Sequence, residues 1–403
     1  MKRMLFGVTG VLCLMLLLCS FVWAQERPIR VLIIDAFSGP AKDNGDRYLL
    51  GLQIAAEEIN AKGGLLGRKV EVITEDSQVK PDVAVRKAQK YLLEGSVDVV
   101  TAGTGSHIAK ALADVTKQHN VLFVNFTMSD DATGKDFTDN AVRLVYSTSM
   151  MARALVNYVA KHTQFKKFYL LNQDYAYGRD MGGAFKKEVT RQIPTAQIVG
   201  EDYHPLFAKD FSPFLTKIQA SNADAILTAN YATDISILIK QRFELGVKAT
   251  VVNNALANPT VVRENPEASI GNIACDAFMI TTQTAENAEF VKLWQKKYAG
   301  AEYPDPDCVS GRTYIGLRYL AQGIQKAGSV KLDKLIPALE GMHQKSLNGD
   351  IYLRPCDHQL QSPMPVVKVE SKTPPYFSTP VMIPASDIEI AETEIDNPRC
   401  KKK

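Results

Sequence analysis

The stretch VLIIDAFSGPAKDNGDRYLLGLQIAAEEINAKGGLLGRKVEVI, residues 31–73, decides the fold class. It opens on four apolar residues, Val31-Leu32-Ile33-Ile34, that run to Ser38-Gly39-Pro40, the pattern of a short buried strand entering a turn. Asp46 then reads as the cap of a helix to about Asn60. Tyr48, Leu52, Ala55, Ala56 and Ile59 share one face of it, and Lys62-Gly63-Gly64 stops it. Lys69 to Ile73 is the next strand. An apolar strand, an amphipathic helix and a second strand describe one unit of a parallel sheet with a covering helix.

Outward from this unit the alternation continues. Pro81 opens a helix to about Leu93, Val97–Val100 is a strand, a helix follows near Ile108–Gln118, and Val121–Val124 is a strand. A helix over about Met150–Lys161 begins a second series, with strands at Phe168–Leu171, Ile198–Tyr203, Ala225–Leu227 and Val251–Asn253. The helices of that series lie after the loop Asn172–Gly178 and near Phe211–Ala220 and Asp234–Leu245. Two such series predict an α/β fold with two doubly wound parallel-sheet lobes. Ligands of such sheets lie beyond the carboxyl ends of the strands. From about Ser362 Pro, Ser and Thr become frequent and helical periodicity ends, which predicts an extended tail.

The first residues indicate export. Met1-Lys2-Arg3, an apolar run from Val11 to Val22 and Val22-Trp23-Ala24 before Gln25 form the three parts of a signal peptide, residues 1–24. Cys19 raises lipidation as the alternative, but Leu18 stands where that processing prefers a small residue. Cleavage leaves 379 of 403 residues, enough for two domains, with 45 bases facing 44 acids. That balance gives no support to nucleic-acid binding. Cys275, Cys308, Cys356 and Cys400 remain, an even number that favours disulfides in an exported chain. Cys356–Cys400 with Cys275–Cys308 is the preferred pairing of three possible ones. No C-x-x-C pair suggests a metal site or redox dithiol.

The order of several motifs carries a resemblance. Ser38-Gly39-Pro40, residues 51–70 (GLQIAAEEINAKGGLLGRKV), Glu75-Asp76, Asp174–Gly178 (DYAYG), Lys209–Ser212, Asn222–Ala225 and Gly311-Arg312-Thr313-Tyr314 resemble the leucine/isoleucine/valine-binding-protein family. These are the type I periplasmic binding proteins of ABC transporters, and the likeness covers nearly all of the chain between the signal and the tail. It implies a periplasmic monomer without cofactor or metal that captures a small organic ligand for an ABC permease of the inner membrane. It also implies a three-segment hinge, with lobe 1 at 25–147 plus 278–352, lobe 2 at 148–277 plus 353–390, and a tail at 391–403.

In relatives that bind amino acids, hydroxyls and backbone amides of two lobe 1 loops hold the ligand carboxylate. Those loops correspond to Thr104-Gly105-Ser106-His107 and Asn125–Ser129, so the resemblance points to Ser106, Thr127 and Ser129, with His107 beside them. Small residues before a helix N-terminus suit an anion, although Ser and Thr also serve there as ordinary caps. Tyr177, with Tyr175 as its rival, and Tyr231 fall where the family places tyrosines over the ligand. Asn44 and Val309 fall where it often has aromatic walls. The departure concerns the amine: Ala255 stands at the family's acidic position, and a buried ammonium without a counter-charge costs several kcal/mol. Asn254 is a neutral substitute acceptor and Asp234 a neighbouring acid. The ligand is thus expected to be a branched-chain or related amino acid, or alternatively an aromatic or aliphatic acid, or a small amide, lacking the α-amine.

Rival readings are weaker. Thr101–Ser106 (TAGTGS) lacks the third glycine of a dinucleotide fingerprint, and no P-loop, H-E-x-x-H or G-x-S-x-G occurs. The run Cys356-Asp357-His358-Gln359 reads as a structural turn, because adjacency in sequence is not triad geometry. An enzyme is therefore not expected. A ligand sensor uses the same fold, and the fold alone does not separate sensing from delivery.

Overall fold

The computed structural model describes residues 27–401; the signal segment, with Cys13, Cys19 and the cleavage site, lies outside them. The first series runs β1 (Ile29–Asp35), α1 (Lys42–Ala61), β2 (Val70–Asp76), α2 (Pro81–Leu93), β3 (Val99–Ala102), α3 (Ser106–Gln118), β4 (Leu122–Asn125) and β5 (Ala141–Arg143). The second begins with α4 (Thr148–His162), β6 (Lys167–Gln173), α5 (Ala176–Gln192), β7 (Gln197–His204) and α6 (Ser212–Ser221). It continues through β8 (Ala225–Leu227), α7 (Thr233–Glu244), β9 (Thr250–Asn253), α8 (Pro259–Glu264), α9 (Pro266–Ser269) and β10 (Ile273–Cys275). Helices α10 (Ala285–Tyr298), α11 (Cys308–Ala327) and α12 (Leu332–Leu339) then lead to β11 (His343–Ser346), β12 (Gly349–Arg354) and β13 (Gln359–Gln361). Strands β14 (Met364–Lys368) and β15 (Val381–Ile383) and the short α13 (Ala385–Ile388) follow.

Two sheets result. The first has the order β11-β12-β13-β5-β4-β3-β1-β2, and the second β15-β14-β10-β9-β8-β6-β7. Strands β1–β5 pair in parallel, as do β6–β10, while the late strands add mostly antiparallel edges. Alternate residues of β1 feed opposite faces. Val31 and Ile33 join the large core, whereas Leu32 and Ile34 meet Ala84, Ala88, Ile108 and Leu112 of α2 and α3. Both faces of the first sheet are therefore covered, the condition under which parallel strands become continuous apolar runs.

Three passages link the sheets, between β5 and β6, between β10 and β11, and between Gln361 and Met364. Because β13 pairs with β5, the last passage lies beyond the expected boundary at 352. The expected tail is partly sheet, since β14 pairs with β10 and β15 with β14. Helix α1 starts at Lys42, straight from the 3-10 turn Gly39–Ala41, and Asp46 lies one turn inside it, paired with Lys42.

Residues beyond α13 form a further link. Arg153 of α4 donates to Glu389 O, Arg354 of β12 donates to Ile390 O at 2.6 Å, and Asn397 donates to Thr133 O at 2.9 Å. Cys400 is disulfide-bonded to Cys356. The preferred second bridge is not formed: Cys275 and Cys308 are free. Each is fully enclosed, Cys275 at the end of β10 and Cys308 at the start of α11, and acts as a small apolar core residue.

Candidate functional site

In each sheet the order reverses around one central strand. Strand β1 lies between β2 and β3, and β6 lies between β7 and β8, so both crevices open at the carboxyl ends of these strands. They face each other across a single cavity of about 340 Å³. Lobe 1 lines it from the exits of β1 (Asn44), β3 (Gly103 to Ser106) and β4 (Phe126 to Met128), and from α11 (Cys308, Val309, Arg312). Lobe 2 lines it from the exits of β6 (Tyr175, Tyr177), β8 (Tyr231 to Thr233) and β9 (Asn254, Ala255).

The loop after β3 is held from below. Asp35, at the end of β1, accepts from Gly103 N at 2.6 Å and Thr104 N at 3.2 Å. Burial raises its pKa, and these amide hydrogen bonds oppose the rise. Gly103 has to be glycine because a Cβ would come within 2.3 Å of the Tyr48 ring lying on it. Gly105, at φ 91°, turns the chain into α3, whose first N–H groups have no partner inside the helix. The neighbouring hydroxyl of Thr127 is buried, and its Oγ1 has no hydrogen-bond partner among the described residues.

The opposite wall is aromatic. Tyr175, Tyr177 and Tyr231 form a triangle with ring centroids 6.0 to 6.4 Å apart, and Tyr48 stacks on Phe126 at 6.3 Å. Burial pushes all four tyrosine hydroxyls up, Tyr231 to about 12, so they remain protonated donors. Tyr177 donates to Asn254 Oδ1 at 3.0 Å. Beneath them Arg312, 5% exposed, pairs with Asp276 and donates to the Tyr48 hydroxyl at 3.0 Å.

Of the residues singled out in the sequence, Ser106, Thr127, Tyr177, Tyr231, Asn254, Asn44, Tyr175 and Val309 line the cavity. Ser129 and His107 do not. Ser129 Oγ donates to Asp180 of α5 across the cleft, and the His107 ring meets the edge of Tyr175 at 6.2 Å. Burial holds the His107 pKa below its ordinary value. Asp234 is also away from the cavity, engaged by Gln173 and by Phe207 N. Tyr48, Phe126, Cys308 and Arg312 line the cavity without having been singled out for it. Arg312 was visible as the one cation within the GRTYIGL run of residues 311–317, and a charge in an apolar helix face is a signal in itself.

The lobes are closed on each other. Arg47 of α1, fully buried, donates to Thr260 Oγ1 at 2.8 Å and Asn258 Oδ1 at 3.3 Å in lobe 2. It is held by Asp43 and Asp307 and stacks over Tyr303 at 4.2 Å. A cleft between two such lobes, with a polar loop on one side and aromatic rings on the other, has the form of a small-molecule site.

Comparison with known proteins agrees with this architecture. The family model described as periplasmic binding protein matches residues 28–374. The chain belongs to that family. Among curated relatives, Leu/Ile/Val-binding protein homolog 4 of Brucella melitensis is 25% identical over 394 residues, covering 92% of this chain and 91% of its own. Two solved structures show the same fold. The leucine-, isoleucine-, valine-, threonine- and alanine-binding protein of Brucella ovis, in its closed conformation, superposes with a TM-score of 0.82 at 21% identity. It covers 91% of this chain and 97% of that one. A solute-binding protein of an ABC transporter from Rhodopseudomonas palustris, in complex with 3,4-dihydroxybenzoic acid, gives 0.79 at 24% identity, covering 89% and 97%. As a periplasmic binding protein of the leucine/isoleucine/valine type, this chain captures a small solute.

Proposed function

We propose that this protein, exported with residues 1–24 removed, takes up a small monocarboxylate that has no α-ammonium group, foremost an aromatic acid. It presents that ligand to an ABC permease in the inner membrane, with no covalent step and no enzymatic activity. The observation that carries the reading is the wall around Ala255. That position itself holds no acid, the adjacent Asn254 Oδ1 already accepts from Tyr177, and five aromatic rings line the cavity. The carboxylate would lie against the start of α3 with Ser106 and Thr127, where amides and a free hydroxyl face the cavity. The ring would stack among Tyr175, Tyr177 and Tyr231.

The moving bodies in this reading are residues 25–147 with 278–361, and 148–277 with 362–390. Ser129 and His107 act from behind the wall, Ser129 as part of the closed cleft contact and His107 in support of Tyr175. The likeness to a dihydroxybenzoate-bound structure fits this ligand class.

Glu264 favours a second reading, an amino acid. This exposed carboxylate lines the cavity and offers an ammonium partner, and the curated relatives are named for leucine, isoleucine and valine. A thermal-shift panel of aromatic acids, short-chain acids and amino acids separates the two. Ligand that binds only the folded state raises its melting temperature, by an amount worth about 2.7 kcal/mol at a hundredfold excess over Kd. Shifts confined to acids without the amine support the first reading. Shifts confined to leucine or valine establish the second.

A further inference from the structure

Arg312 is a charged side chain in the lining of a mostly apolar cavity. Its Nε donates to Asp276 Oδ1 at 2.7 Å, Nη2 pairs with Asp276 Oδ2, and Nη1 donates to the Tyr48 hydroxyl at 3.0 Å. A guanidinium has five N–H groups, so these bonds leave two without a partner among the described residues. Leaving buried donors unused is costly, and core packing alone would be met more cheaply by an apolar residue. The Tyr48 and Tyr177 hydroxyls line the same cavity.

Asp276 sets what these donors accept. The pair with Asp276 makes the cluster neutral, and Asp276 is fully buried. A second carboxylate brought here would add an uncompensated charge in a water-poor site, whereas a neutral oxygen would satisfy the spare N–H groups without one.

We propose that Arg312, through its spare N–H groups, forms a second polar subsite that receives a neutral oxygen of the ligand, distinct from the carboxylate held at the start of α3; the hydroxyls of Tyr48 and Tyr177, whose protons go to Gly103 O and Asn254 Oδ1, flank it as acceptors. The preferred ligands are then aromatic monocarboxylic acids bearing a ring hydroxyl, keto or ether oxygen. Unsubstituted acids and dicarboxylic acids bind less well. The inference rests on the aromatic-acid reading above and names its ligand class more narrowly.

The test is calorimetric titration of residues 25–403 with benzoate, 3-hydroxybenzoate, 4-hydroxybenzoate and terephthalate. A hydrogen bond to a charged group corresponds to about tenfold or more in affinity. The better hydroxybenzoate is therefore expected to bind at least about tenfold tighter than benzoate, and terephthalate weakest. Arg312→Met combined with Asp276→Asn removes both charges and avoids stranding either one. In that variant, once circular dichroism shows it folded, the hydroxybenzoate-to-benzoate ratio should fall to about one, whatever happens to absolute affinity. Equal binding of benzoate and both hydroxybenzoates by the wild type overturns the subsite and leaves the aromatic-acid reading standing. So does an unchanged ratio in the folded variant. If no aromatic acid binds, both readings fall together.

Discussion

Thr127 carries a hydroxyl that no described residue engages. Its backbone N–H is held by Asn125 Oδ1 at 2.7 Å, but Oγ1 is buried without a partner beside the start of α3. Thr127→Val keeps the shape and removes the hydroxyl, so it should leave the melting temperature unchanged or slightly raised and weaken ligand binding by about tenfold. A calorimetric titration that returns wild-type affinity would remove Thr127 from the carboxylate site. The cavity residues anticipated in the sequence came from the resemblance, and most of them follow strands, where ligands of such sheets lie. Ser106, Tyr177, Tyr231 and Asn254 are of that kind. Arg312 showed in the sequence only as a lone charge in a long helix and not as part of this site, because it lies more than 180 residues from Thr127 and only the closing of α11 over α1 brings it to the cavity. The free thiols were misjudged for a related reason: an even cysteine count carries no information about burial.

At the scale of elements, the N-terminal half of α5 and the loop after β4 make a second contact across the closed cleft, besides that of Arg47. Asp180 of α5 accepts from Ser129, with Asp130 and Asp131 nearby, and Lys135 and Arg143 are the cations that feel it. Burial pushes Asp180 up to about 6, the two aspartates add to the rise, and the Ser129 hydrogen bond opposes it. When the cleft opens, Asp180 returns toward water and an ordinary value near 4. The closed form therefore holds a proton more tightly than the open one. Its advantage is fully present below about pH 4 and is lost as pH rises through about 6. Binding coupled to closure should be several-fold tighter at pH 5 than at pH 7.5, and Asp180→Asn should flatten that dependence. Titrations at the two pH values check this; a flat wild-type profile, or the same slope in the variant, contradicts it. The alternation of strands and helices was plain from apolar periodicity. The start of α1 was not, because a 3-10 turn feeds the helix before its first acidic residues. The strands β14 and β15 were hidden by the Pro, Ser and Thr around them.

For the whole molecule, the disulfide Cys356–Cys400 secures the segment that returns from β15 to lobe 1. On the way it touches Arg153 of α4 and Thr133 beyond β4. The cysteines are 44 residues apart, and closing a loop of that order stabilises a chain by roughly 2–4 kcal/mol. Residues 25–403 unfolded without reductant should show two reactive thiols, Cys275 and Cys308, and four after reduction. Four without reduction would mean the strap is unbonded, and none would restore the second bridge. The sequence pattern revealed two lobes, but the paths between them depend on which sheet each late strand joins. Pairing at long range decides that, and local periodicity does not record it.

The central claim concerns ligand chemistry, and the most direct measurement is a side-by-side calorimetric titration of 4-hydroxybenzoate and leucine into residues 25–403 at pH 7. Saturable binding of the aromatic acid with no heat from leucine is the predicted result. Leucine binding with the aromatic acid silent would mean that the ammonium finds its partner without an acid at Ala255, and would contradict the account.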